Sequence, residues 1–122
     1  MPKTIAKLIK NTIIFIIIVL LFIFIFIFAW IRLEIMKQCR LAQQAYSGDC
    51  VSALIQVLED EDNELEQRNY AIWSLGQLKD ERAIPILEKY YTGIIPDREP
   101  YDETLSQYEL KKALSYFKVD YN

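Results

Sequence analysis

Apolar residues follow two different patterns along this chain. From Ile13 to Ile31 nineteen consecutive positions are apolar, with no charge, glycine, proline or hydroxyl among them. From Leu33 onward apolar residues recur at spacings of three and four, between polar ones. The first pattern has no side to offer water, and at 1.5 Å per residue it predicts a helix of roughly 28 Å, the thickness of a bilayer's hydrocarbon core. The second predicts amphipathic helices over Met36–Tyr46, Cys50–Leu58, Leu65–Leu78, Ala83–Tyr91 and Leu105–Phe117. Val51, Leu54, Ile55 and Leu58 form one apolar stripe, and Ala71, Ile72, Leu75 and Leu78 another. Ser47-Gly48-Asp49 and Lys79-Asp80-Glu81 read as turns, and Gly93–Glu103, with Pro96 and Pro100, as a long loop. No stretch alternates with period two for long enough to predict a strand.

The apolar run reads as an anchor. Secretory signals have shorter cores and end at small residues suited to cleavage, whereas this one ends Phe28-Ala29-Trp30-Ile31-Arg32. Trp30 and Arg32 suit a headgroup boundary. With no ionisable group inside and no Gly-x-x-x-Gly pair, the span has neither an ion path nor a tight pairing motif. The chain thus divides into a basic tail (1–12), a span in the lipid bilayer (13–31) and a helical domain (32–122). Lys3, Lys7, Lys10 and the amino terminus precede the span, against Arg32, Lys37 and Arg40 after it, which favours a cytoplasmic N-terminus and a domain outside.

From Leu33 onward ten Lys or Arg face seventeen Asp or Glu, a balance of −7. So acidic a domain is a poor match for nucleic acid. The chain has no histidine, hence no imidazole base, no histidine metal ligand and no triad of the usual kind. Its three glycines, Gly48, Gly76 and Gly93, do not form a phosphate loop. The run Glu59–Glu64 lacks calcium-loop spacing and is expected to serve the following helix's dipole. No catalytic residue, cofactor or metal is therefore expected. Cys39 and Cys50 flank the Ser47 turn unequally, which in an antiparallel pair puts them out of bridging range, so free thiols are expected.

Repetition is visible in the helical part. Asp49–Ile55 aligns with Glu81–Leu87 at an offset of 32, and Arg68-x-x-Ala71-Ile72 answers Leu110-x-x-Ala113-Leu114 at an offset of 42. The segment Arg68-x-x-Ala71-x-x-x-Leu75-Gly76, followed by Asp80 and Ala83-Ile84-Pro85, resembles the short HEAT repeat of phycobilisome-lyase-like proteins. The resemblance is strong across Asp62–Tyr91 and weaker across Ala42–Leu58 and Gln107–Phe117. It implies an all-α fold: stacked antiparallel helix pairs, about two of them, closed by a C-terminal capping helix. It also implies binding of other proteins.

All eight tyrosines, from Tyr46 to Tyr121, lie beyond the span. Tyr70 and Trp73 are expected to pack against the neighbouring helix pair. In the long loop, Ile94 and Ile95 are expected to fold back over the last pair. Tyr91, Arg98 and Tyr101 are the candidate partner-contacting residues, because tyrosine and arginine suit protein interfaces. The leading functional reading is a membrane-anchored, non-catalytic adaptor for a protein partner. Its alternatives are an accessory or lyase-like factor acting on a cofactor-bearing protein, and a purely structural membrane protein.

Overall fold

A computed structural model describes residues 2–117, all helix, turn or loop, with no strand among the described residues. The chain divides into two units, Met1–Glu34 and Ile35–Asn122. Helix α1 (Lys3–Ala45) begins in the first unit. Its apolar stretch is exposed from Ile13 to Trp30, and the helix is long and apolar enough to cross a membrane. Thr12 Oγ1 donates back to the Leu8 carbonyl at 2.9 Å, so the hydroxyl just before the apolar run is satisfied within the helix. The separate helix expected over Met36–Tyr46 is the last part of α1. Arg32 to Met36 contains no glycine or proline, so nothing there breaks the hydrogen-bond ladder.

In the second unit α2 (Cys50–Glu59), α3 (Leu65–Leu78), α4 (Ile84–Tyr90) and α5 (Gln107–Ser115) share one core. Leu54 and Leu58 of α2, Ile72 and Leu75 of α3, Leu87 of α4, and Leu110 and Leu114 of α5 are its largest buried apolar side chains. Helix α3 packs against α2 and α5, and α4 packs against α5. Gly76 sets the distance between α3 and α5: a Cβ there would lie 2.8 Å from Ala113 Cβ and 2.9 Å from its Cα. Helix starts follow local chemistry. Asp49 caps α2 by accepting from the Ser52 N–H at 2.9 Å, and Ser106 caps α5 by accepting from the Glu109 N–H at 3.1 Å. Pro85 occupies the first turn of α4, where its missing N–H leaves no bond unmade.

Three polar side chains of α3 are also buried: Arg68, Asn69 and Ser74. Arg68 Nε donates to the Leu58 carbonyl at 2.8 Å, at the C-terminal end of α2, and its guanidinium lies 5.5 Å from the Tyr90 ring centroid. One cation thereby satisfies a helix-end carbonyl and reaches α4. Arg82 makes a second bridge at the surface, to Asp49 at 2.8 Å and Asp80 at 2.9 Å.

Two expectations fail here. Cys39 and Cys50 form a disulfide, with Cα atoms 4.9 Å apart. The chain leaving α1 at Ala45 does not turn at the helix end but runs back along it. Gln43 Nε2 already reaches the Gly48 carbonyl at 3.4 Å, and Gly48 takes φ of 106°, which a side chain would resist. Four residues of connection can cover the two turns back to Cys39. Tyr70 is 39% exposed rather than packed against a neighbouring pair, while Trp73 is half-buried. Arg68, Ala71, Ile72 and Leu75 take the buried face of α3, and Tyr70 falls outside it.

Candidate functional site

The connection between α4 and α5 is the long loop, and three side chains decide its shape. Gln107, the first residue of α5, holds its beginning: Oε1 accepts from the Thr92 N–H at 2.8 Å and Nε2 donates to the Tyr90 carbonyl at 3.1 Å. Asn69, fully buried on α3, holds its end. Its Nδ2 donates to the carbonyls of Tyr101 at 3.0 Å and Thr104 at 2.8 Å, and its Oδ1 accepts from the Ser106 N–H at 2.8 Å. Both polar atoms of the amide are thus matched, as burial requires.

Glu99 fixes the middle. Its carboxylate accepts from the backbone N–H groups of Gln107 at 2.6 Å and Tyr108 at 3.1 Å, and from the Ser106 hydroxyl at 2.8 Å. Those are the unpaired donors at the start of α5, so the loop supplies its own anion to the positive end of the helix dipole. The expectation that Ile94 and Ile95 fold back over the last pair fails for Ile94, which is 76% exposed; Ile95, 39% exposed, lies beside Ser106 and Tyr108 at the start of α5. Hydrogen bonds hold the loop, leaving its isoleucines at the surface.

The three candidate residues are distributed unequally on this frame. Tyr91 packs half-buried against the core, and its N–H closes α4 on the Leu87 carbonyl. Arg98 is exposed and makes no ion pair among the described residues. Tyr101 is 37% exposed and lies with Tyr108, Ile95, Pro96, Asp97 and Ser106 around a depression of about 370 Å³. Burial and a hydrogen bond to the Glu109 carboxylate hold the Tyr101 hydroxyl well above its ordinary titration range, so it stays a neutral donor. Tyr108 is 56% exposed and stands on the first turn of α5. Sequence reasoning passed over Tyr108 and Glu99. The helix expected over Leu105–Phe117 already puts Tyr108 in a first turn beside the loop, and the Ser106-x-x-Glu109 spacing of a capping box agrees. Nothing local marks Glu99. Tyr121, included in the tyrosine count, lies outside the described residues.

The acidic connection Asp60–Glu64 is held by Tyr46, just past the end of α1, and by the last turn of α2. Asp60 accepts the Tyr46 hydroxyl at 2.5 Å, and Asn63 Nδ2 donates to that hydroxyl oxygen at 2.8 Å and to the Val57 carbonyl at 3.1 Å. The Tyr46 bond lowers the Asp60 carboxyl below its usual range. Among the described residues no group of acidic, Cys or His side chains is arranged to hold a metal ion.

With this geometry in view, the buried Arg68, the close-packed Gly76 and the Pro85 turn fall within one recognisable unit. The model of the PBS lyase HEAT-like repeat matches residues 67–92. The chain carries a HEAT-like repeat. Comparison with curated proteins and with solved structures gives no match. The repeat spans α3 and α4, and the long loop leaves from its C-terminal end.

Proposed function

We propose that this protein is a membrane-anchored, non-catalytic adaptor whose HEAT-like domain binds a partner protein outside the cytoplasm. The observation that carries the reading is the loop after the repeat. Asn69, Glu99 and Gln107 hold it in one shape while Ile94, Ile95, Tyr101 and Tyr108 stay exposed. A surface ordered before binding loses little entropy on association, and aromatic side chains on it give contact area with few rotamers to freeze. The exposed apolar helix supports the anchor. The Cys39–Cys50 disulfide supports the orientation, since such bonds persist in oxidising compartments and not in the cytosol.

Two measurements test this. A photocrosslinking residue placed at position 94 or 108 of the full chain in its own membrane should give a discrete protein adduct, and one at Glu61 should not. No adduct from either position would remove the adaptor reading. Alkaline phosphatase fused after Asn122 should be active; an inactive fusion would reverse the orientation. The description of the matched family favours a second reading, an accessory acting on a cofactor-bearing protein. A crosslinked partner that carries a covalent cofactor would decide for it.

A further inference from the structure

We propose that the depression between the long loop and α5 is a receptor for an arginine or lysine side chain on a basic segment of the partner. This rests on the adaptor reading and gives its partner a chemistry. The depression is bounded by two tyrosine rings, Tyr101 and Tyr108, with Ile95 and Pro96 as apolar wall. At about 370 Å³ it is at the low end of ligand clefts, the scale of one or two side chains. Exposed tyrosine faces attract a cation through the ring quadrupole, and guanidinium groups stack on them readily.

Charge selects the cation. Asp97 lines the depression, is exposed, and makes no hydrogen bond or ion pair among the described residues. Glu99 also lines it but is already engaged at the start of α5, so Asp97 is the carboxylate available to a guest. Within the loop, Asp102 and Glu103 also stand exposed, against Arg98; Lys111 and Lys112 follow on α5. The domain beyond Leu33 carries −7, so its field steers basic segments inward and acidic ones away. Another groove among the described residues, between the end of α1 and α3, has only neutral lining, with Leu41, Ala42, Ala45 and Ala71 among it, and selects no charge.

The test uses the full chain in neutral-detergent micelles with 3-fluorotyrosine at its tyrosines, read by fluorine NMR. The probe is acetyl-Gly-Arg-Gly-amide, with acetyl-Gly-Glu-Gly-amide as its control. The arginine peptide should move the Tyr101 and Tyr108 signals and leave Tyr46 in place, and added salt should weaken the response. Asp97→Asn and, separately, Tyr108→Ala should each weaken binding about 2- to 5-fold, the size of one exposed ion pair or one cation–π contact. The unmoved Tyr46 signal reports that each variant is folded. Equal shifts from the glutamate peptide or from phosphocholine would overturn the assignment, as would no shift up to the solubility of the arginine peptide. A partner crosslinked through position 108 with no arginine response would keep the adaptor and discard the basic guest. An arginine response with no crosslinked partner would keep the receptor and discard the adaptor.

Discussion

The two connections on either side of the HEAT-like repeat are both held by an asparagine amide, and they differ in where that asparagine sits. Between α2 and α3, Asn63 belongs to the connection itself and bonds the Val57 carbonyl and the Tyr46 hydroxyl. Between α4 and α5, Asn69 belongs to α3 and reaches segments 32 to 37 residues away. The short connection is closed on its own neighbours and presents acidic, solvated side chains. The long one is fastened from beneath, which frees its outward side to carry isoleucine and tyrosine. A loop anchored from the core can keep apolar residues at its surface without collapsing onto them.

Loss of the shared platform should have the largest effect. Ala71 is buried at the centre of α3, so Ala71→Asp puts an unpaired carboxylate into the core. A cost of several kcal/mol is expected, enough to unfold the domain in most molecules. Amide hydrogen exchange on the full chain in micelles should show protection lost together in α2, α3 and α5. Retained protection in all three would contradict the packing described above. Next comes the crosslink. Cys39→Ser with Cys50→Ser removes a closed loop of eleven residues' separation and should cost roughly 3 kcal/mol, read as a lower unfolding midpoint. An unchanged midpoint would mean that α1 is held to α2 by other contacts.

Asn69→Ala and Asn63→Ala test the comparison directly. The first orphans the Ser106 N–H and two carbonyls near a buried side chain and should cost roughly 2–3 kcal/mol. The second, at a part-buried site with water at hand, should cost about 1 kcal/mol. Equal losses would erase the distinction between the two connections.

The smallest effect belongs to the surface bridge. Hydrogen bonding to Arg82 lowers the carboxyls of Asp49 and Asp80 from an ordinary value of 3.8. Carboxyls lowered by folding stabilise the fold above their unfolded range, and that contribution is lost as pH falls from there through the lowered, folded-state range. Acidification from about pH 5 to pH 3 should therefore lower the unfolding midpoint of the native chain. Arg82→Ala should flatten this slope, and salt should shrink it, because the pair is exposed. A slope unchanged in Arg82→Ala would assign the acid sensitivity to Asp60, whose carboxyl is lowered by Tyr46 instead.

How much of this was legible in the sequence follows from the range of each interaction. Helix α3 matches its expected span of Leu65 to Leu78, and α2 differs by a single residue, because stripe spacing and the Asp49 cap are local signals. The all-α class follows from the same signals. The disulfide is not legible from spacing, because the connection runs back along α1 instead of turning at the helix end. Tyr70 was misjudged because the Ala71 stripe marks the buried face without showing where that face ends. At the candidate site, the exposure of Tyr101 follows from its place in a loop stiffened by Pro96 and Pro100. Its neighbour Tyr108 and the anchors Asn69 and Glu99 come from three separate segments, and only the fold brings them together.

Asn69, from within the domain, holds the end of the loop in one shape. The most direct measurement is hydrogen exchange at the amides of Ser106, Gln107 and Tyr108 in the native chain and in Asn69→Ala. Ser106 donates to Asn69, and the other two donate to Glu99. The native chain should protect all three. In Asn69→Ala these amides should exchange faster by about 30-fold or more, the counterpart of a loss of roughly 2 kcal/mol, while α3 amides keep most of their protection. Protection of Ser106, Gln107 and Tyr108 that survives in Asn69→Ala would contradict the account.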